Sequence, residues 1–145
     1  MKILKSSILS ATAGFALICA NTHAAAEVVV IANKSAPVSS ISVEQAKSIF
    51  LKKTSTFPDG SSVIAVDLPD DNSVRDEFYQ KATNKNPNQV KAYWAKRVFT
   101  GKGTPNDIQN SESAVKRWVA DGSSHIGYIS PAAVDGSVKV LLRLP

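Results

Sequence analysis

The sequence predicts an α/β sandwich, and three observations carry that class. Short apolar runs, Val28-Val29-Val30-Ile31 foremost, read as strands buried on both faces. Between them stand stretches of helical periodicity, each with its own start signal. The two kinds of segment alternate over most of the length, which implies a sheet covered by helices on both faces.

The first helix is predicted to open at Ser42, with Gln45 at the capping-box position and Val43, Ala46, Ile49 and Phe50 on its apolar side. Pro58-Asp59-Gly60 is a turn, and Ser62 to Leu68 reads as a second strand. Ser73 is placed to cap a helix with Val74, Phe78 and Ala82 inward. Asn86-Pro87-Asn88-Gln89 joins a cap, a proline at the first helical position and a capping-box glutamine. The helix it starts turns Val90, Tyr93, Trp94 and Val98 to one side and is closed by Gly101. Gly103-Thr104-Pro105 is loop. Asn110 or Ser111 opens a further helix, with Ala114, Val115, Trp118 and Val119 inward and a stop at Asp121-Gly122. Strands at His125 to Ser130 and Val138 to Leu144 complete the chain. No internal repeat, low-complexity tract or dividing linker is present.

The N-terminus carries Lys2 and Lys5, an apolar stretch from Ile8 to Ala20, and small residues at Ala24 to Ala26. This is the pattern of a secretory signal peptide, residues 1–24, with cleavage after Ala26 as the alternative. The apolar stretch is too short for a stop-transfer span. The expectation is therefore a periplasmic protein with one domain over residues 27–145. Cys19 is the only cysteine, and Ala16-Leu17-Ile18 before it fits a lipidation box poorly, which argues against a lipid anchor. With the leader removed no cysteine remains for a disulfide, a thiolate nucleophile or a metal site. Loss of Lys2 and Lys5 lowers the net charge from +5 to +3. That is mild for a nucleic-acid binder, and the aromatics follow helical spacing instead of alternating with basic clusters.

Catalytic patterns do not assemble. His125 is the sole histidine after the leader, so a histidine-rich metal site is excluded, and no Gly-x-Ser-x-Gly elbow accompanies it. Thr100-Gly101-Lys102-Gly103-Thr104-Pro105 follows a helix, whereas a phosphate loop of the Walker type lies between a strand and a helix. Neither an enzyme nor a cofactor is expected.

One turn does invite a ligand. In Asp67-Leu68-Pro69-Asp70-Asp71-Asn72-Ser73-Val74-Arg75 a strand passes through a polar turn into a helix N-terminus, whose free amides and dipole suit an oxyanion. Asn72, Ser73 and Arg75 are the candidate donors, and Asp67 or Asp70 the candidate acceptor. Acids near a helix start are equally ordinary dipole partners and turn formers.

Several of these pieces occur in a familiar order. The segment Asn33 to Lys53, the stretch Val63 to Tyr79, and His125-Ile126-Gly127-Tyr128-Ile129-Ser130 resemble, over about 110 residues, the phosphate-type periplasmic substrate-binding proteins of ABC transporters. Ala92-Tyr93-Trp94-Ala95 and Phe99 to Pro105 are similar to short members of that family. The resemblance implies a single three-layer lobe with a central mostly parallel sheet, phosphate or a related oxyanion as ligand, and a membrane transporter as partner. Two departures matter. The family has two lobes and this chain has the length of one, so a homodimer is the expected way to rebuild a cleft. In the phosphate loop, Asp70-Asp71-Asn72-Ser73-Val74 stands where the family has Asp-Gly-Ser-Gly-Thr, and no arginine stands at the family's position. Only Ser73, and Asp70 or Asp71, carry over by position. Weak oxyanion binding is expected; the alternative is an envelope interaction module that keeps the fold without the ligand.

Overall fold

The computed structural model of the protein describes residues 26–145, so the leader reading lies outside the described residues. The elements are β1 (Val28–Asn33), α1 (Val43–Phe50), β2 (Ile64–Asp67), α2 (Ser73–Thr83), α3 (Pro87–Phe99), β3 (Asp107–Ile108), α4 (Glu112–Asp121), β4 (His125–Ile129) and β5 (Val138–Leu144). They form one five-stranded sheet in the order β3-β2-β4-β1-β5. β2 runs parallel to both β3 and β4, while β1 runs antiparallel to β4 and β5. Four strands therefore share a direction and only β1 opposes them. The carboxyl ends of β2, β3 and β4 lie at one end of the sheet, the end where open α/β sheets place ligands.

Helices cover both faces. Side chains alternate along a strand, so Gly127 and Tyr128 of β4 point in opposite directions. A Cβ at Gly127 would lie 2.6 Å from Val115 and 3.3 Å from Val119, which puts α4 against that face. On the other face Tyr128 stacks on Phe78 of α2, with centroids 4.0 Å apart, and meets the edge of Phe50 from α1. The core runs through both layers, and Val28 to Ala32 are buried without a break.

Local signals account for the helix ends. Ser42 and Gln45 form the capping box of α1, and Asn86 and Gln89 form that of α3 behind Pro87. Gly101 follows the Thr100 cap of α3 at φ +70°, a left-handed turn that suits glycine. Two expectations are corrected and one strand is added. The cap of α2 is Asn72, with Ser73 the first helical residue, because the Asn72 side chain reaches the amides of Val74 and Arg75. The two-residue strand β3 adds to the four strands that the sequence predicts. Val98, expected on the same side as Val90 and Trp94, is 54% exposed, because α3 packs on α2 through its earlier turns and Val90 and Trp94 are its buried residues.

Candidate functional site

The turn between β2 and α2 is built around Asp67 and Arg75, both buried, at 1% and 8% exposure. Asp67 closes β2, and its carboxylate accepts from the Tyr79 hydroxyl at 2.8 Å, the Tyr128 hydroxyl at 2.8 Å and Asn106 Nδ2 at 3.1 Å. Four elements thus converge on one side chain: β2, α2, β4 and the segment leading into β3. The Tyr128 oxygen in turn accepts from the Leu68 amide, and Asn106 Nδ2 also donates to the Phe50 carbonyl. Burial pushes the Asp67 carboxyl up from the ordinary carboxylate range, against the pull of Arg75 and of the three hydrogen bonds. Burial, and then the neighbouring Asp67, push the hydroxyls of Tyr79 and Tyr128 well above the ordinary tyrosine range, so both remain donors.

Arg75 sits one turn into α2 and folds back over the turn. Its Nη1 donates to the Leu68 carbonyl at 2.8 Å and pairs with Asp70 Oδ1 at 2.9 Å, while the guanidinium carbon lies 5.5 Å from the centre of the Tyr79 ring. Burial works against its charge, but Asp67, the two tyrosines and Asp70 outweigh it and hold the guanidinium above its ordinary value. The partners differ in freedom. The Arg75 side chain is 10% exposed and the Asp70 side chain 75%.

The α2 N-terminus has few donors left. Asn72 Oδ1 takes the amides of Val74 and Arg75, at 2.9 and 3.4 Å, and the Asp76 amide bonds to the Asn72 carbonyl. Of the helix's free amides only that of Ser73 is not engaged by its cap. Ser73 is exposed.

Two cavities flank the Arg75–Asp70 pair. One, of about 120 Å³, is lined by Asp70, Arg75, Asp76, Tyr79, Val90 and Lys91 among others. The second, of about 240 Å³, has Asp67, Asp70, Arg75, Lys91, Trp94 and Asn106 in its wall. The structure therefore gathers Asp67, Asp70 and Arg75 at one place. Asn72 and Ser73 stand at the helix end beside it and line neither cavity.

Lys91, Tyr79, Trp94 and Asn106 belong to this site and were not among the sequence candidates. Lys91 reaches it from α3, and among the described residues no carboxylate lies within ion-pair distance of it. Its position three residues before Trp94 on a helix was the one available signal. Asn106 follows a loop that gave no hint of burial. Trp94 Nε1 and Asn106 Oδ1 are buried without hydrogen-bond partners, which leaves one donor and one acceptor unmatched around the second cavity.

No protein-family model matches the chain, and no curated protein matches it in sequence. Solved structures do match. A protein of Clostridium perfringens described as a phosphate ABC transporter substrate-binding protein, with phosphate bound, superposes with a TM-score of 0.64 at 22% identity. The match covers 80% of this chain and 45% of that one. An ABC-type phosphate transport receptor from Vibrio cholerae gives 0.61 at 19% identity, covering 80% and 46%. PstS from Borrelia burgdorferi gives 0.60 at 11% identity, covering 80% and 47%. At these identities the likeness shows the fold: a mixed α/β sheet of the periplasmic-binding-protein type. The chain spans less than half the length of each of these structures.

Proposed function

We propose that this protein is an exported, solute-binding-like protein that holds phosphate or a similar oxyanion weakly beside Arg75. One observation carries the reading. A guanidinium fixed at the carboxyl end of β2, with a second cation, Lys91, across two small cavities, stands in a fold shared with proteins described as phosphate-binding. Arg75 is the anchoring cation and Ser73 supplies an amide and a hydroxyl from the helix end. Asn72 holds that end in shape, the charge of the buried Asp67 favours that of Arg75, and Asp70 pairs with Arg75 at the mouth of the site. The role is binding, not catalysis. Weak affinity follows from a site with one wall, because charge-assisted hydrogen bonds strengthen when water is excluded.

A leader removed on export places the protein in the periplasm. Among the described residues no helix is long and apolar enough to cross a membrane. A membrane transporter is the proposed partner for a loaded form, and a second copy of the chain could supply the other wall. A monomeric mass at micromolar and higher concentrations would count against the dimer.

The test is calorimetric titration of the mature protein with phosphate, repeated on Ser73→Ala combined with Arg75→Ala. Saturable one-site binding in the millimolar range or tighter, lost in a double variant that still melts cooperatively, supports the site. Absence of heat from a folded protein up to about 10 mM phosphate refutes it.

A second reading has its own observation. Asp67, Asn72 and Arg75 are already satisfied within the chain, while Phe99 and Val98 project beside Lys96, Arg97 and Lys102. On that reading the protein is an interaction module of the envelope that has kept the fold and lost the ligand. Phe99→Ser would then abolish capture of a defined envelope partner while phosphate titrations stay silent.

A further inference from the structure

We propose that Asp70 is a tethered stand-in for the ligand: its carboxylate occupies Arg75, and an arriving oxyanion must displace it. This rests on the oxyanion reading above and concerns how that site is regulated.

Three features support it. The contact is of the kind a ligand would make, with a carboxylate oxygen 2.9 Å from a guanidinium nitrogen. The two partners are unequally held. Arg75 is nearly buried and anchored on the Leu68 carbonyl, whereas Asp70 is mostly exposed and makes no other side-chain contact of hydrogen-bond or ion-pair length among the described residues. When the pair opens, Asp70 leaves and Arg75 stays. Finally, Asp70, Arg75 and Lys91 are the three residues common to the walls of both cavities. A displaced Asp70 therefore uncovers Arg75 between two spaces, with Lys91 available to the incoming anion.

The consequence is an intramolecular competitor. A pair with one exposed partner is only marginally favourable, so competition weakens binding instead of abolishing it. The remaining negative charge of Asp70 adds repulsion toward a dianion at short range. Together these set the expected gain on neutralising Asp70 at about three- to tenfold.

The experiment compares phosphate affinity in the wild type, Asp70→Asn and Asp71→Asn. Asp71 is the adjacent exposed aspartate and makes no ion pair with Arg75, so its substitution changes the net charge equally without touching the contact. The proposal expects about three- to tenfold tighter phosphate binding in Asp70→Asn and less than twofold change in Asp71→Asn. Wild-type binding with equal effects of the two substitutions, or with weaker binding in Asp70→Asn, overturns the stand-in role and leaves the oxyanion site intact. Silence in the wild type and in both folded variants overturns the oxyanion site itself.

Discussion

Replacing Asp67 by Ala should destabilise the protein by about 3–5 kcal/mol, and the structure shows why. The substitution removes the acceptor of two tyrosine hydroxyls and of Asn106 Nδ2. Asn106 keeps the Phe50 carbonyl, so the orphaned donors are the two hydroxyls, each costing about 1–3 kcal/mol when left buried and unpaired. Arg75 also loses the nearby charge that holds up its own, although Asp70 and the Leu68 carbonyl remain. Part of this loss is returned, because burying the carboxylate was itself unfavourable, as its raised pKa records. Thermal and urea denaturation followed by circular dichroism measure the change, and a loss near 4 kcal/mol corresponds to roughly 10–20 °C in Tm for a domain of this size. The decisive control is the same substitution in a Tyr79→Phe, Tyr128→Phe background, which has no hydroxyls to orphan. There Asp67→Ala should cost less than about half as much. An equal loss in both backgrounds would refute the claim that these hydrogen bonds organise the turn.

Other consequences are simpler to test. Gly127→Ala brings a Cβ to 2.6 Å from the Val115 Cγ1 methyl, so the Val115 side chain or the backbone carrying it must give way, at about 1–3 kcal/mol in urea denaturation. Asn86→Ala removes the side-chain acceptor of the Gln89 amide, while the backbone amide at position 86 still donates to the Gln89 side chain, and should cost about 1 kcal/mol by the same measurement. Lys116 and the Ser137 hydroxyl and amide hold the Asp135 carboxyl well below the ordinary carboxylate range. A depressed folded pKa means that this stabilisation is present above about pH 4, the unfolded value, and is lost as pH falls through the folded one. The Tm gap between wild type and Asp135→Asn should hold constant from pH 5 to 8 and close below pH 4, and a gap unchanged at pH 2 would contradict the assignment.

The chain's local grammar was legible because its causes are local. A capping box needs only four residues, so Ser42 with Gln45 and Asn86 with Gln89 named two helix starts before any fold existed. Val28 to Ile31 announced a buried strand because a run without polar alternation has no face to offer water. The α/β class followed, and the turn after β2 was singled out because a strand running through polar residues into a helix start is a sequence pattern. Which residue caps α2 was not legible, since Asn72 and Ser73 are both good caps and one residue of backbone conformation decides between them.

What the tertiary structure decided concerns residues far apart in the chain. Tyr79, Asn106 and Tyr128 lie 12, 39 and 61 residues from Asp67, and no periodicity links a buried carboxylate to donors at such separations. An aspartate that read as a ligand acceptor became a buried hub, and an arginine that read as a free donor became an anchored cation already paired with Asp70. Val98 shows the converse: it follows the helical spacing of Val90 and Trp94 but is 54% exposed, because burial depends on which neighbouring element covers that end of α3, which no single helix encodes. By itself the sequence determined the helices, four of the five strands and the turn where a ligand would be sought. Only the packing of β2, β4, α2 and α3 decided which side chains of that turn still face outward, because burial and pairing are properties of the assembled layers.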